Sequence, residues 1–324
     1  MKKERDSNFE LLRLFAMFSI VFYHLLGVYW HIGDTESHGL LVALTSPFHV
    51  GVPVFVMISG WYGIRTSWKG VFKLLIPVFI YYVPIALYVN YTERASFEDY
   101  MHSIMFLSQT EYWFVQTYLW LFIASPAINL YIHNQTVKQR FTTLLILAFV
   151  SMYVGTFGND TSLVEGKNVI HFALLYIVGD TLKTWKSAWD RISWKIILTI
   201  YMLVNIGLVL VYPIKPFIPM NMFFPYNSVG IIINSILILM LFSKIKLQNR
   251  FINYIAASSF VIYLIHGQPT LFKFQMDILC EIYDQIGYGL PFILTIIGCS
   301  IVVMSVSIAL DKIISPVYTR LIHK

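Results

Sequence analysis

Ten apolar runs of about 17–22 residues follow one another along this chain, and a run of about 20 is what a helix needs to cross the hydrocarbon of a bilayer. They fall at 9–30, 47–64, 72–91, 112–131, 141–158, 169–185, 194–213, 225–243, 251–268 and 289–311. Only 12% of the residues are charged, against about 25% in soluble domains. The fold class expected is an all-α integral membrane protein, a bundle of about ten transmembrane helices. Gly51, Pro53 and Gly60 interrupt the second run, and a weaker segment at 97–109 suits the interface between the third and fourth. The longest polar stretch, about 269–288, is too short to fold alone, so residues 1–324 read as a single transmembrane domain with no separate soluble domain.

The placement of positive charge gives an orientation. Of the 23 lysines and arginines, only Arg94, Lys167, Lys215 and Lys273 fall on one side of the ten-span layout, while Arg13 lies inside a span. The rest lie on the opposite side, and basic loops face the cytoplasm. Acidic loops such as Asp34/Glu36 and Glu93/Glu98/Asp99 fall on the sparse side. Both termini are therefore expected in the cytoplasm. The net charge of +6 is explained by topology, and no nucleic-acid partner is expected. No small-residue cleavage pattern follows the first run, which is expected to serve as an uncleaved insertion signal. Cys280 and Cys299 are the two cysteines, one in a polar stretch and one in an apolar run, so no disulfide framework is expected. No ligand set suggests a metal.

Within the first run stand Arg13 and His24. Ionisable groups at membrane depth are costly and usually functional. Eleven residues make about three helical turns, so both side chains share one face, roughly 16 Å apart along the axis. Singly, Arg13 is compatible with snorkelling to the headgroups and His24 with a packing role. Together they suggest a polar track into the bilayer.

Polar groups recur in four other places. The stretch Phe48–Gly60 is a broken helix pattern, which membranes tolerate only where it is buried or lines a cavity; Ser59 there also suits a small-residue helix contact. Lys69 and Lys73, four apart on one helix face, fit either topology or a phosphate-bearing ligand. Glu111-Tyr112-Trp113-Phe114 suits an aromatic belt. Ser259, Tyr263 and His266 form a second helical stripe, a candidate partner wall for the first.

As an ordered set these motifs are specific. Glu10-x-x-Arg13 with His24, Phe55-x-x-x-Ser59-Gly60, Lys69 and Lys73 before Pro77, Trp113-Phe114 ahead of Pro126, and Ser259-x-x-x-Tyr263-x-x-His266 together resemble the integral-membrane acyltransferase-3 family over essentially the whole chain. Glu10 stands where the family often has Asp, and Lys69 and Lys73 stand in a motif that is commonly richer in Arg. The resemblance implies a multi-pass protein of a bacterial inner or plasma membrane. It implies transfer of an acetyl or other short acyl group from cytoplasmic acetyl-CoA (acyl-CoA), the donor substrate, to a hydroxyl of a cell-surface or lipid-linked saccharide. Arg13, Lys69 and Lys73 become candidates for acyl-CoA binding, His24, Arg13 and Glu10 for catalysis, and Ser59, Trp113, Ser259, Tyr263 and His266 for substrate or structural roles. A polytopic exporter of a saccharide or small acid is the alternative; broken helices suit one, but no repeat symmetry between halves is visible.

Acyl transfer to a hydroxyl needs a base and groups that hold the developing oxyanion. His24 is the expected base, with an acyl-His24 intermediate as the rival scheme. Arg13 would hold a CoA phosphate or polarise the thioester carbonyl, and Glu10, one turn away, would orient it. His24 lies about 22 Å along the span from Phe9, so the donor is expected to enter from the cytoplasm and the saccharide from outside.

Overall fold

Helices occupy each of the ten predicted runs in the computed structural model, which describes residues 6–29, 45–105, 107, 112–155, 163–211, 225–287 and 289–323. Glu111 and the loop charges Asp34 and Glu36 lie outside the described residues. In chain order the helices are α1 (Ser7–Leu26), α2 (Gly51–Tyr62), α3 (Trp68–Thr92), α4 (Phe97–Ile104), α5 (Trp113–His133), α6 (Val137–Ala148), α7 (Val169–Thr184), α8 (Trp194–Val211), α9 (Val229–Ser243), α10 (Arg250–Ala256), α11 (Ser259–His266), α12 (Pro269–Ile286) and α13 (Leu290–His323). A π-helical stretch, Phe149–Val154, extends α6.

The apolar runs overstate some of the helices. Among the described residues, five are long and apolar enough to cross a membrane singly: Ser7–Leu26, Trp68–Thr92, Trp113–His133, Val137–Val154 and Leu290–Arg320. A sixth is formed if Arg250–His266 and Pro269–Ile286, bent by 80°, count as one span. The α2 and α9 helices start later than their runs because residues 46–50 and 225–228 form turns that do not continue into regular helix. The protein is thus an all-helical, multi-pass membrane protein. The polar stretch at 269–288 is largely the helix α12, begun by Pro269 at its first turn and capped by the Gln268 side chain, which accepts from Leu271 N–H.

The polar residues that helices need at their ends are present. Ser67 caps α3, while Ser96 with Asp99, and Thr136 with Gln139, form reciprocal capping boxes on α4 and α6. Along the peripheral helices large apolar side chains such as Phe79, Trp120, Leu130, Phe141, Val302 and Val306 are exposed. Exposed apolar surface on this scale marks a membrane contact.

Four helices, α1, α2, α7 and α11, supply most of the fully buried side chains, among them Leu12, Val21, Met57, Leu175, Tyr176 and Ile262. The α2 and α7 backbones touch: a Cβ added at Gly60 would run into the Tyr176 carbonyl oxygen, and one at Gly179 into that of Met57. Small residues allow such approaches between membrane helices. Gly60→Ala is therefore expected to cost at least about 1–3 kcal/mol by overpacking, read as a lowered unfolding temperature in detergent; an unchanged temperature would rule out the close crossing.

Two buried ionic groups tie the bundle together away from its centre. Arg140 on α6 donates to the Asp180 carboxylate on α7 at 2.8 Å and to the Ile132 carbonyl at 2.8 Å. On α13, the Asp311 carboxylate accepts from Ser258 at 2.6 Å and from Tyr318 at 2.7 Å. Ser258 marks the break between α10 and α11, so this bond fixes where α11 begins.

Candidate active site

α1 packs against both α2 and α11. That packing brings the two sequence stripes face to face. His24 Nδ1 lies 2.9 Å from His266 Nε2, with the rings 5.1 Å apart and nearly parallel. His266 is fully buried, and its Nδ1 lies 3.0 Å from the Ile262 carbonyl oxygen. A carbonyl can only accept, so Nδ1 of His266 carries hydrogen. In a neutral pair Nε2 of His266 then accepts, and Nδ1 of His24 donates. Nε2 of His24 is left with its lone pair and has no hydrogen-bond partner among the described residues.

The Arg13 end of the same face is different. Arg13 Nη1 donates to Glu10 Oε1 at 2.6 Å, and Glu10 is buried. Arg13 then opens onto a cavity of about 220 Å³ whose other walls include Met17, Ile20, Val52, Phe55, Ser59, Leu74, Phe114, Tyr118, Ser259, Phe260 and Tyr263. The serines there have no hydroxyl proton to offer. Ser59 donates to the Phe55 carbonyl at 3.0 Å and Ser259 to the Ala256 carbonyl at 2.7 Å. With its proton so committed, Ser59 accepts the bond from the Tyr118 hydroxyl, at 3.0 Å. Among the described residues, Arg13 is the one charged side chain on the cavity wall. Its guanidinium has five N–H donors in a rigid fork, and Glu10 is its one polar partner among the described residues.

His24 does not line this cavity. It borders a much smaller pocket, about 10 Å³, with Ile20, Tyr23, Phe48, His49, Gly51, Val52 and Tyr226. Beyond it lies an aromatic group: His49 sits 4.4 Å from Tyr23 and 4.9 Å from Tyr226, ring to ring, and Tyr226 is 5.7 Å from Trp113. Lys167 stands 5.8 Å over Trp113. Phe272 of α12 meets His24 edge-on at 6.3 Å.

The sequence candidates thus separate into groups. Arg13, Ser59, Ser259 and Tyr263 share the cavity, with Glu10 behind Arg13. His24 and His266 form the bonded pair. Trp113 belongs to the aromatic group at the His24 end, although its neighbour Phe114 reaches the cavity. Lys69 and Lys73 are exposed at the start of α3 and line neither space, though Leu74 beside them does. Sequence reading missed Tyr118, whose signal was its position four residues after Phe114, on the same helix face; the two rings stack at 5.7 Å. Tyr112, read from the sequence as part of an aromatic belt, is instead buried, and its hydroxyl donates to the Leu264 carbonyl at 2.9 Å, joining the start of α5 to α11. His49 and Tyr226 carried no pattern of their own.

A family model described as an acyltransferase domain matches residues 6–312. No curated protein and no solved structure matches the chain.

Proposed function

The chain belongs to this acyltransferase family, and on that premise we propose that it moves an acetyl or other short acyl group from cytoplasmic acyl-CoA to a hydroxyl of a cell-surface or lipid-linked saccharide, across a bundle of about ten spans with both termini in the cytoplasm. The observation that carries the reading is the bond from His24 to His266, backed by the bond from His266 to the Ile262 carbonyl. It supports a His24 whose Nε2 is held unprotonated, as a general base requires.

In the proposed reaction the acceptor hydroxyl gives its proton to Nε2 of His24 as its oxygen bonds to the thioester carbonyl carbon. The carbonyl oxygen becomes an oxyanion. The C–S bond then breaks, the carbonyl re-forms, and the departing CoA sulfur takes the proton from His24. His266 keeps the imidazole in one tautomer and turns Nε2 outward. Arg13, oriented by Glu10, supplies positive charge in a cavity with no other charged side chain among the described residues, where it holds the phosphate-bearing arm of the donor. The exposed Lys69 and Lys73 suit an approach path for the CoA phosphates rather than the seat of the thioester. The aromatic group around His49, Tyr226 and Trp113 suits the saccharide, since flat apolar rings with polar edges complement the faces of sugars.

Sidedness tests this directly. Sealed inside-out membrane vesicles containing the protein, given radiolabelled acetyl-CoA in the bath, are expected to incorporate label into base-labile esters. Sealed right-side-out vesicles are expected to incorporate none until they are permeabilised. Labelling of intact right-side-out vesicles would remove the cytoplasmic donor, and absence of label in every preparation would remove acetyl-CoA as donor.

A further inference from the structure

We propose that Ile20 on α1 and Val52 on α2 set the upper length of the acyl group this protein transfers, admitting an acetyl-sized group beside His24 and excluding longer chains. The inference rests on the reading of His24 as the group that acts on the acyl donor.

The observation behind it is that the polar track is divided. Arg13 borders the cavity of about 220 Å³, and His24 borders the pocket of about 10 Å³. Of the residues named for each, only Ile20 and Val52 line both. They form the partition between the space that suits a donor arm and the ring that suits the base. The smaller space is close to that of one water-sized sphere. A methyl group next to the reacting carbonyl is of that scale, and a propyl or pentyl tail is not.

The partition is stiff. Ile20 and Val52 are 7% and 4% exposed, and β-branched side chains in helices keep essentially one χ1 rotamer. Behind Ile20 stands Gly51, where a Cβ would fall 2.5 Å from Ile20 Cγ1 and 2.7 Å from the Ala16 carbonyl oxygen. The absent side chain thus draws α2 onto α1 at this level and leaves Ile20 no room to swing aside. Phe48 lines the same pocket and is packed edge-on against Phe22 with ring centroids 4.9 Å apart. A longer acyl chain presented to His24 would have to displace several packed groups together. Steric selection of this kind discriminates by about 10–200-fold per methylene.

The test uses membranes of a host lacking the native gene and supplying its own acceptor, with the wild-type chain, Ile20→Ala, Val52→Ala or the milder Ile20→Val restored. Acetyl-, butyryl- and hexanoyl-CoA are offered separately, and the acid released from base-labile esters is measured by mass spectrometry. The reading is the hexanoyl-to-acetyl ratio within each variant, so differences in amount or overall rate cancel. Wild type is expected to favour acetyl strongly. Ile20→Ala is expected to raise the ratio by at least about 10-fold, with Val52→Ala shifting it the same way and Ile20→Val shifting butyryl more than hexanoyl. Active variants with the wild-type ratio would overturn the proposal, as would a wild type that transfers hexanoyl as readily as acetyl. A wild type that transfers none of the three overturns the acyl-CoA reading itself, and the length limit with it.

Discussion

His24→Ala is expected to lower ester formation by about 10²–10⁴-fold, the range for removing a positioned general base. The loss should appear with the protein present in normal amount, because His24 is only half buried and its one polar bond among the described residues is to His266. A proton must leave the acceptor hydroxyl as the new C–O bond forms, and Nε2 of His24 is the site that the His24–His266 pair leaves open for it. The same variant separates direct attack from an acyl-histidine route when paired with a second measurement. Wild-type protein mixed with acetyl-CoA without acceptor, then quenched, is expected to carry no acetyl group on His24. An adduct there would replace direct transfer by two-step transfer. Normal ester content in the His24→Ala strain would dismiss both schemes.

The second large effect concerns His266, which we place in a positioning role. His266→Ala is expected to cost about 10–100-fold, by analogy with the loss of the partner that orients a metal-binding histidine. Without it, Nδ1 of His24 has no fixed acceptor and either ring nitrogen can carry the hydrogen. His266→Gln should recover much of that loss, because its amide oxygen can accept from Nδ1 of His24. A structural role alone makes a different forecast: alanine and glutamine would then be ranked by how well each fills the space, and unfolding temperature would follow activity. The relay is abandoned if glutamine is no better than alanine while both variants unfold at the wild-type temperature.

Much of this arrangement was legible in the sequence, and the reasons differ by residue. Arg13 and His24 were found because ionisable groups in apolar runs are conspicuous, and their spacing puts them on one face whatever the tertiary structure. Ser259, Tyr263 and His266 were found by the same periodicity, and the structure brings His266 onto His24. What periodicity cannot carry is contact between segments. The 242 residues from His24 to His266 leave no trace of which stripe meets which, and nothing local distinguishes Lys69, which faces outward, from Arg13, which faces in. Tyr118 was hidden because one more tyrosine in an aromatic-rich helix carries no contrast; its role comes from Ser59, which sits 59 residues away in the chain. Helix lengths were overread for a related reason: hydropathy counts apolar side chains in turns such as Ser46–Val50 as if they were helix.

The shortness of α2 has an energetic consequence. Its 12 residues span about 18 Å, little more than the roughly 16 Å that separates Arg13 from His24 on α1, and well short of the ~30 Å of bilayer hydrocarbon. In the proposed reaction the multiply charged nucleotide stays on the side it came from, and only an uncharged group a few atoms across passes the partition. Moving one elementary charge through 100 mV takes about 2.3 kcal/mol; this passage moves none. The membrane potential then neither drives nor opposes the transfer, and its whole driving force is the difference between a thioester and an oxygen ester.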